Sequence, residues 1–200
     1  MHDCYRSYLH YSGCAHALCN AHVLRELIFL HEEHHQAWAD ELATLLVTAK
    51  DLADAARAAG RAQVDPVTRA VITAHYEHLL WQGWAANPPT APPADRPRRR
   101  GCRPQTKAQN LLDRLRTHRG AVLAFLDDLR VPFDNNQAER DLRMLKVQQK
   151  ISGGFRTAPG AARFARIRGY VSTLRKQGFP VLAALESVFA GSPLMPSLTD

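Results

Sequence analysis

Apolar residues return at every third or fourth position through most of this 200-residue chain, and that spacing restricts it to a fold built from packed helices. From Ala21 to about Glu33, the residues Val23, Leu24, Leu27, Ile28 and Leu30 share a helical face. Leu42, Leu45, Leu46 and Leu52 do the same between Ala37 and Ala59, among helix-favouring alanines, and Gly60 is placed to end that run. Asp65-Pro66 supplies an N-cap and a proline at the first helical position, opening a third helix through Ile72, Tyr76, Leu79 and Leu80 to Trp84. The spacing resumes at Thr106 with Leu111, Leu112 and Leu115, and again over Gly120–Leu129 with Val122, Leu123, Phe125 and Leu126, until Val131-Pro132 breaks it.

Few segments escape this pattern. Residues 87–104 hold six prolines and five arginines, which disfavours an uninterrupted helix and predicts a loop. Ahead of the first helix come an extended stub at Met1–Asp3, a helix-sized stretch at Tyr5–Tyr11 and a short strand candidate at Ala15–Cys19. In the run Asp134-Asn-Asn-Gln-Ala-Glu-Arg-Asp-Leu-Arg, Asp134 and Gln137 have capping-box spacing, so a helix is expected to begin there and reach about Gln149. On it Glu139, Arg143, Lys146 and Lys150 form one stripe, and Ala138, Leu142 and Leu145 form a neighbouring apolar face expected to anchor the helix on a core. Ser152-Gly153-Gly154 ends it. A further helix over Ala161–Gln177 carries Phe164, Ile167, Val171 and Leu174 on one stripe with Arg163, Arg166 and Arg175 off it; a short helix through Leu182, Leu185 and Phe189 follows, and Gly191–Asp200 reads as coil.

With 46% apolar and 22% charged residues, the chain can bury a core of its own. No run approaches the roughly 20 apolar residues of a membrane span, and Met1-His2-Asp3 opens neither a signal peptide nor an acylation motif, so the expected location is the cytoplasm. The formal charge of +7 is uneven: ten Lys/Arg face eleven Asp/Glu in residues 1–100, and sixteen face eight in residues 101–200. Between Leu142 and Lys176 there are nine basic residues and no acidic one, a density that suits a polyanion, because each neutralised phosphate releases condensed counterions. A solvated, solubilising face has the same composition.

Four cysteines, Cys4, Cys14, Cys19 and Cys102, are too few and too irregular for a disulfide framework. Cys14, His16, Cys19 and His22 offer four zinc-capable side chains within nine residues, although without the usual two separated ligand pairs; a strand-to-helix junction with a buried Cys19 accounts for them equally well. His31, His34 and His35 read as a solvated helix end, and Trp81 and Trp84 as core or interface in preference to a base-stacking platform. A carboxylate at Glu139 followed by basic residues would suit a hard divalent ion completed by substrate phosphate, or equally an ordinary ion pair with Arg143 on a solvated helix.

Three stretches together resemble bacterial transposases of insertion-sequence family sixty-six: the Asp134–Arg143 run, Lys-Ile-Ser-Gly-Gly-Phe-Arg-Thr at Lys150–Thr157, and His2-Asp3 followed by Cys19-Asn-Ala-His22-Val-Leu-Arg25. The resemblance implies a mainly α chain: a truncated ribonuclease-H-like core with few short strands, interrupted by a large helical insertion. Residues 1–36 would be the core remnant with the second aspartate, 37–130 the insertion with its 87–104 loop, and 131–200 the carboxy-terminal helical part with the glutamate. It also implies a DDE motif in which Asp3 and Glu139 are catalytic, metal-binding carboxylates of a two-Mg²⁺ site, and in which Lys146 contacts phosphate. Arg140, Arg143, Lys146, Lys150, Arg156, Arg163 and Arg166 are the residues expected to bind DNA, both transposon ends and target.

The family's first aspartate lies upstream of the Asp3 motif, and Cys4 stands where a small residue such as glycine is usual, which raises the expectation of a perturbed turn. The expected activity is DNA transposition by Mg²⁺-dependent cleavage and strand transfer, carried by a chain that is inactive alone for want of that aspartate and works with a full-length transposase or accessory proteins of the same element. The alternative is a non-catalytic DNA-binding or transposase-interfering protein.

Overall fold

Helix α1, Asn20–His34, begins where the chain leaves an extended stretch at Cys19 and ends at His35, whose left-handed backbone (φ 52°) lets its N–H bond the carbonyls of Leu30 and His31. The computed structural model describes residues 1–89 and 105–197, so most of the expected 87–104 loop and the last three residues of the tail lie outside the described residues. Helices α2 (Ala37–Ala58), α3 (Pro66–Ala86), α4 (Lys107–Thr117), α5 (Arg119–Val122), α6 (Ala124–Asp127), α7 (Asn136–Ser152), α8 (Ala158–Lys176) and α9 (Val181–Phe189) follow, and a 3₁₀ turn spans Arg6–His10. The protein is mainly helical. Among the described residues the expected Ala15–Cys19 strand amounts to one parallel bridge between His2 and Leu18. None of the described helices is long and apolar enough to cross a membrane.

The chain divides into two units, Met1–Asn135 and Asn136–Asp200. In the first, α2 packs on α1, α3 and α6, and α4 packs on α1, α3 and α5. The periodic leucines are the reason: Leu27, Leu42, Leu46, Leu79, Leu112, Leu115 and Leu126 have no exposed surface. Tyr76 is equally buried and donates its hydroxyl to the Leu115 carbonyl (3.0 Å), and burial pushes its ionisation well above the ordinary phenol value. Asp65 caps α3 by accepting from the Thr68 N–H (3.0 Å), a bond that lowers its carboxyl pKa. Thr106 and Gln109 close a reciprocal capping box on α4 (3.1 Å each way). At Gly83 the helices approach so closely that a Cβ would sit 2.6 Å from Leu112 Cδ2 and 3.0 Å from Trp38, which is why α3 carries a glycine in its interior despite the propensity cost.

Two expectations are corrected here. Gly120–Leu129 is not one helix but two single turns, Arg119–Val122 and Ala124–Asp127, parted at Leu123; Asp128 is extended and the Leu129 N–H leaves the helical ladder for the Ala62 carbonyl (2.9 Å). Trp81 is not core. The inner face of α3 is filled by Ile72, Tyr76, Leu79 and Leu80, which leaves Trp81 66% exposed.

In the second unit, Gly153 and Gly154 take positive φ (68° and 111°) at the turn after α7. Thr157 caps α8 through the Gly160 N–H (3.2 Å), and Leu174 and Ala184 are the buried contact of α8 with α9. The apolar face expected to anchor α7 does not bury: Leu142 is 55% exposed and no residue of α7 is buried. Its link to α8 is polar instead. Asp141 accepts from Ser172 Oγ (3.0 Å) and Lys176 Nζ (2.5 Å), and these bonds, that to Lys176 foremost, lower its pKa. A depressed carboxyl pKa contributes stability above the unfolded value of about 3.9 that is lost as pH falls through the folded one. Hydrogen exchange at α8 should therefore accelerate on acidification below about pH 4, and Asp141→Asn should remove that pH dependence.

Candidate functional site

Asp3 owes its place to a backbone clasp. The His2 N–H donates to the Ala17 carbonyl (3.0 Å) and the Cys19 N–H to the His2 carbonyl (2.9 Å), so Asp3 emerges beside the start of α1. That start is itself fixed from far along the chain. Leu18 N–H bonds the Ala121 carbonyl (2.9 Å), Asn20 N–H the Phe133 carbonyl (3.1 Å), and the buried Asn20 side-chain amide donates to the Val122 carbonyl (3.0 Å). Asp3 is exposed at a cleft of about 250 Å³ whose other walls include Cys4, Cys19, His22, Glu26 and Arg114.

Arg114 of α4 pairs with Glu26 of α1 (2.6 Å), which places a guanidinium and a second carboxylate in the cleft. Sequence reasoning missed both, because a pair separated by 88 positions leaves no local pattern. Cys4 packs against the core, and burial raises its thiol pKa, opposed by Arg114 and assisted by Glu26 and Asp3. It does not strain the turn as expected: among the described residues His35 alone, glycines aside, has positive φ, so the position after Asp3 makes no demand that only glycine meets.

The four candidate zinc ligands do not gather. Cys14 Sγ and His16 Nε2 both turn to the Tyr11 carbonyl (3.5 and 2.9 Å), while the buried Cys19 sulfur accepts from the Asn135 N–H (3.2 Å). His31, His34 and His35 are exposed at the end of α1.

Glu139 belongs to the second unit and is exposed in the first turn of α7. Arg140 bonds back to the Asn136 carbonyl (3.2 Å) through Nε. Arg143, Lys146 and Lys150 follow on successive turns of α7, Arg156 lies between the helices, and Arg163 and Arg166 are on α8; all six are exposed, and among the described residues none of them forms an ion pair. Such positive charge, unneutralised by the protein, favours a polyanion over an internal salt-bridge network.

No curated protein and no solved structure matches this chain. The model of a family described as "Transposase IS66 family" matches residues 1–163, a span that contains both the Asp3 and the Glu139 motifs. With four-fifths of its length matched, this chain belongs to the IS66 family of transposases and has a role related to transposition.

Proposed function

We propose that the chain contributes Asp3 and Glu139 as two of the three metal-binding carboxylates of a DDE transposase, and that its basic α7–α8 surface lies along transposon DNA. The supporting observation is the run of exposed cations, Arg143, Lys146 and Lys150, that follows Glu139 along one helix and forms no ion pair among the described residues. In this reading the clasped His2–Leu18 segment belongs to a ribonuclease-H-like core, α2 to α6 form a helical insertion in it, and a third carboxylate comes from outside residues 1–200.

The donor chemistry fits Mg²⁺. Asp3 and Glu139 offer hard carboxylate oxygens open to solvent, where an ion that keeps several waters can be held, whereas the softer Cys19 sulfur is already engaged by a backbone N–H. When bound, paired Mg²⁺ ions activate water or a DNA 3′ hydroxyl and stabilise the leaving oxygen. Lys146 holds a phosphate near Glu139, and Arg143, Lys150, Arg156, Arg163 and Arg166 carry the backbone on either side.

Mn²⁺ titration of the purified chain tests this directly. Asp3→Asn and Glu139→Gln should each weaken binding, and the loss in the double variant should differ from the sum of the two single losses, because both ligands serve one site. Independent, additive losses or no loss would sink the shared site. The second reading is a DNA-binding module without chemistry, favoured by the concentration of cations in a unit of its own. It predicts salt-sensitive DNA binding indifferent to either carboxylate and no Mn²⁺ effect.

A further inference from the structure

The first unit carries a second feature that the carboxylate reading does not use. A cleft of about 490 Å³ lies between α3 and the α4–α5 corner, walled by Leu80, Trp81, Trp84, Arg116 and Arg119. Its volume is that of a small-ligand site. Trp81 presents 66% of its surface to solvent and continues a parallel stack with His78, the rings 5.9 Å apart and 25° from coplanar. An indole left this exposed forgoes the burial that normally favours tryptophan, so a partner with a flat face is the natural cover. Arg116 lies over the Trp84 ring, 5.6 Å from its centroid, and the Trp84 indole N–H beneath is closed to solvent without an acceptor among the described residues. The guanidiniums also pair with carboxylates at the surface, Arg116 with the half-buried Asp113 (3.1 Å) and Arg119 with the exposed Glu77, and such partly solvated pairs are of the kind a phosphate displaces at modest cost.

We propose that this cleft binds an unpaired nucleobase of single-stranded DNA, stacked on Trp81, with the adjoining phosphate at Arg116. Stacking on an indole face is tolerant of base identity and demands a base free of its complement, because in a duplex both faces are already covered by neighbours. A guanidinium beside the ring takes the backbone charge that accompanies every base. Movement of the long Arg116 side chain toward that phosphate uncovers the Trp84 N–H as a donor for a base carbonyl. The inference takes its ligand class from the nucleic-acid reading above, but needs neither Asp3 nor Glu139.

The test is a fluorescence titration of the whole chain with a short thymidine oligonucleotide and with a duplex of equal length. Trp81→Ala should weaken single-strand binding by about tenfold and leave duplex binding about unchanged. Trp81→Phe should recover most of the loss, and Arg116→Ala should lower the single-strand salt slope by about one. Thermal melting of each variant separates binding from folding, since an exposed indole contributes little to the core. Equal losses on both nucleic acids, no loss on either, or single-strand binding by Trp81→Leu as tight as the parent's would overturn the proposal. Because the readout requires no metal, failure of the Mn²⁺ titration leaves this expectation standing, and the reverse holds as well.

Discussion

Glu139→Gln is expected to reduce transposition of a marked element in cells by at least about 10²- to 10³-fold, while DNA affinity stays within about twofold of the parent. The substitution preserves shape while it removes the charge and replaces one accepting, metal-ligating oxygen with an NH2 donor. Loss of a single preorganised charged group at a reacting centre costs this much because the remaining groups cannot reposition at the moment of reaction. Lys146→Ala serves as the counterpart: it should weaken DNA binding and reduce the salt slope by about one, with a smaller effect on turnover of bound DNA. Transposition frequency and filter binding, measured on the same variants, distinguish the two. A Glu139→Gln element that still transposes at parental frequency would remove the carboxylate from the chemistry.

The largest stability effect is expected at Phe125. It is buried to 2% exposure and meets Phe133 edge-to-face, the ring centroids 5.0 Å apart at 86°. Phe125→Ala should cost about 3–5 kcal/mol, combining lost apolar burial with a cavity that closely packed helices fill only in part. That is a large share of the roughly 5–15 kcal/mol that holds a domain together, so the first unit should be partly unfolded at 37 °C. Leu142→Ala on α7, where the side chain is 55% exposed, should change stability by no more than about 0.5 kcal/mol. Urea unfolding of the pair checks the contrast, and equal shifts would contradict the assigned core.

Helices were legible where apolar spacing and end signals coincided. α1, α2, α3, α8 and α9 lie within a few residues of where their leucines, caps and glycines put them. Asp65-Pro66 opened α3 as expected, and Thr106 with Gln109 shows that the same signature opened α4. Spacing did not show the break at Leu123, since Val122, Leu123, Phe125, Leu126 and Leu129 keep a helical period across it. It also failed at Trp81, because aromatic character alone does not say which face of a helix is inner. On α7 it mistook the exposed Leu142 and the half-buried Leu145 for a buried anchor, while Asp141, Ser172 and Lys176 make a polar attachment. Asp3 and Glu139 are proposed from motif resemblance; Glu26 and Arg114, which wall the cleft beside Asp3, could not be read from the sequence, since only the packing of α1 on α4 joins them.

The clasp that positions Asp3 also imposes an order on biosynthesis. Asn20 reaches Val122 across 102 positions, and the main chain at the head of α1 is held by Phe133. Such distant partners have to be made before they can bond, so the head of α1 is fixed only once the ribosome has delivered Val122 and Phe133. The segment that carries Asp3 is thus fixed only after Phe133 has been made, and truncation anywhere before residue 133 should loosen it.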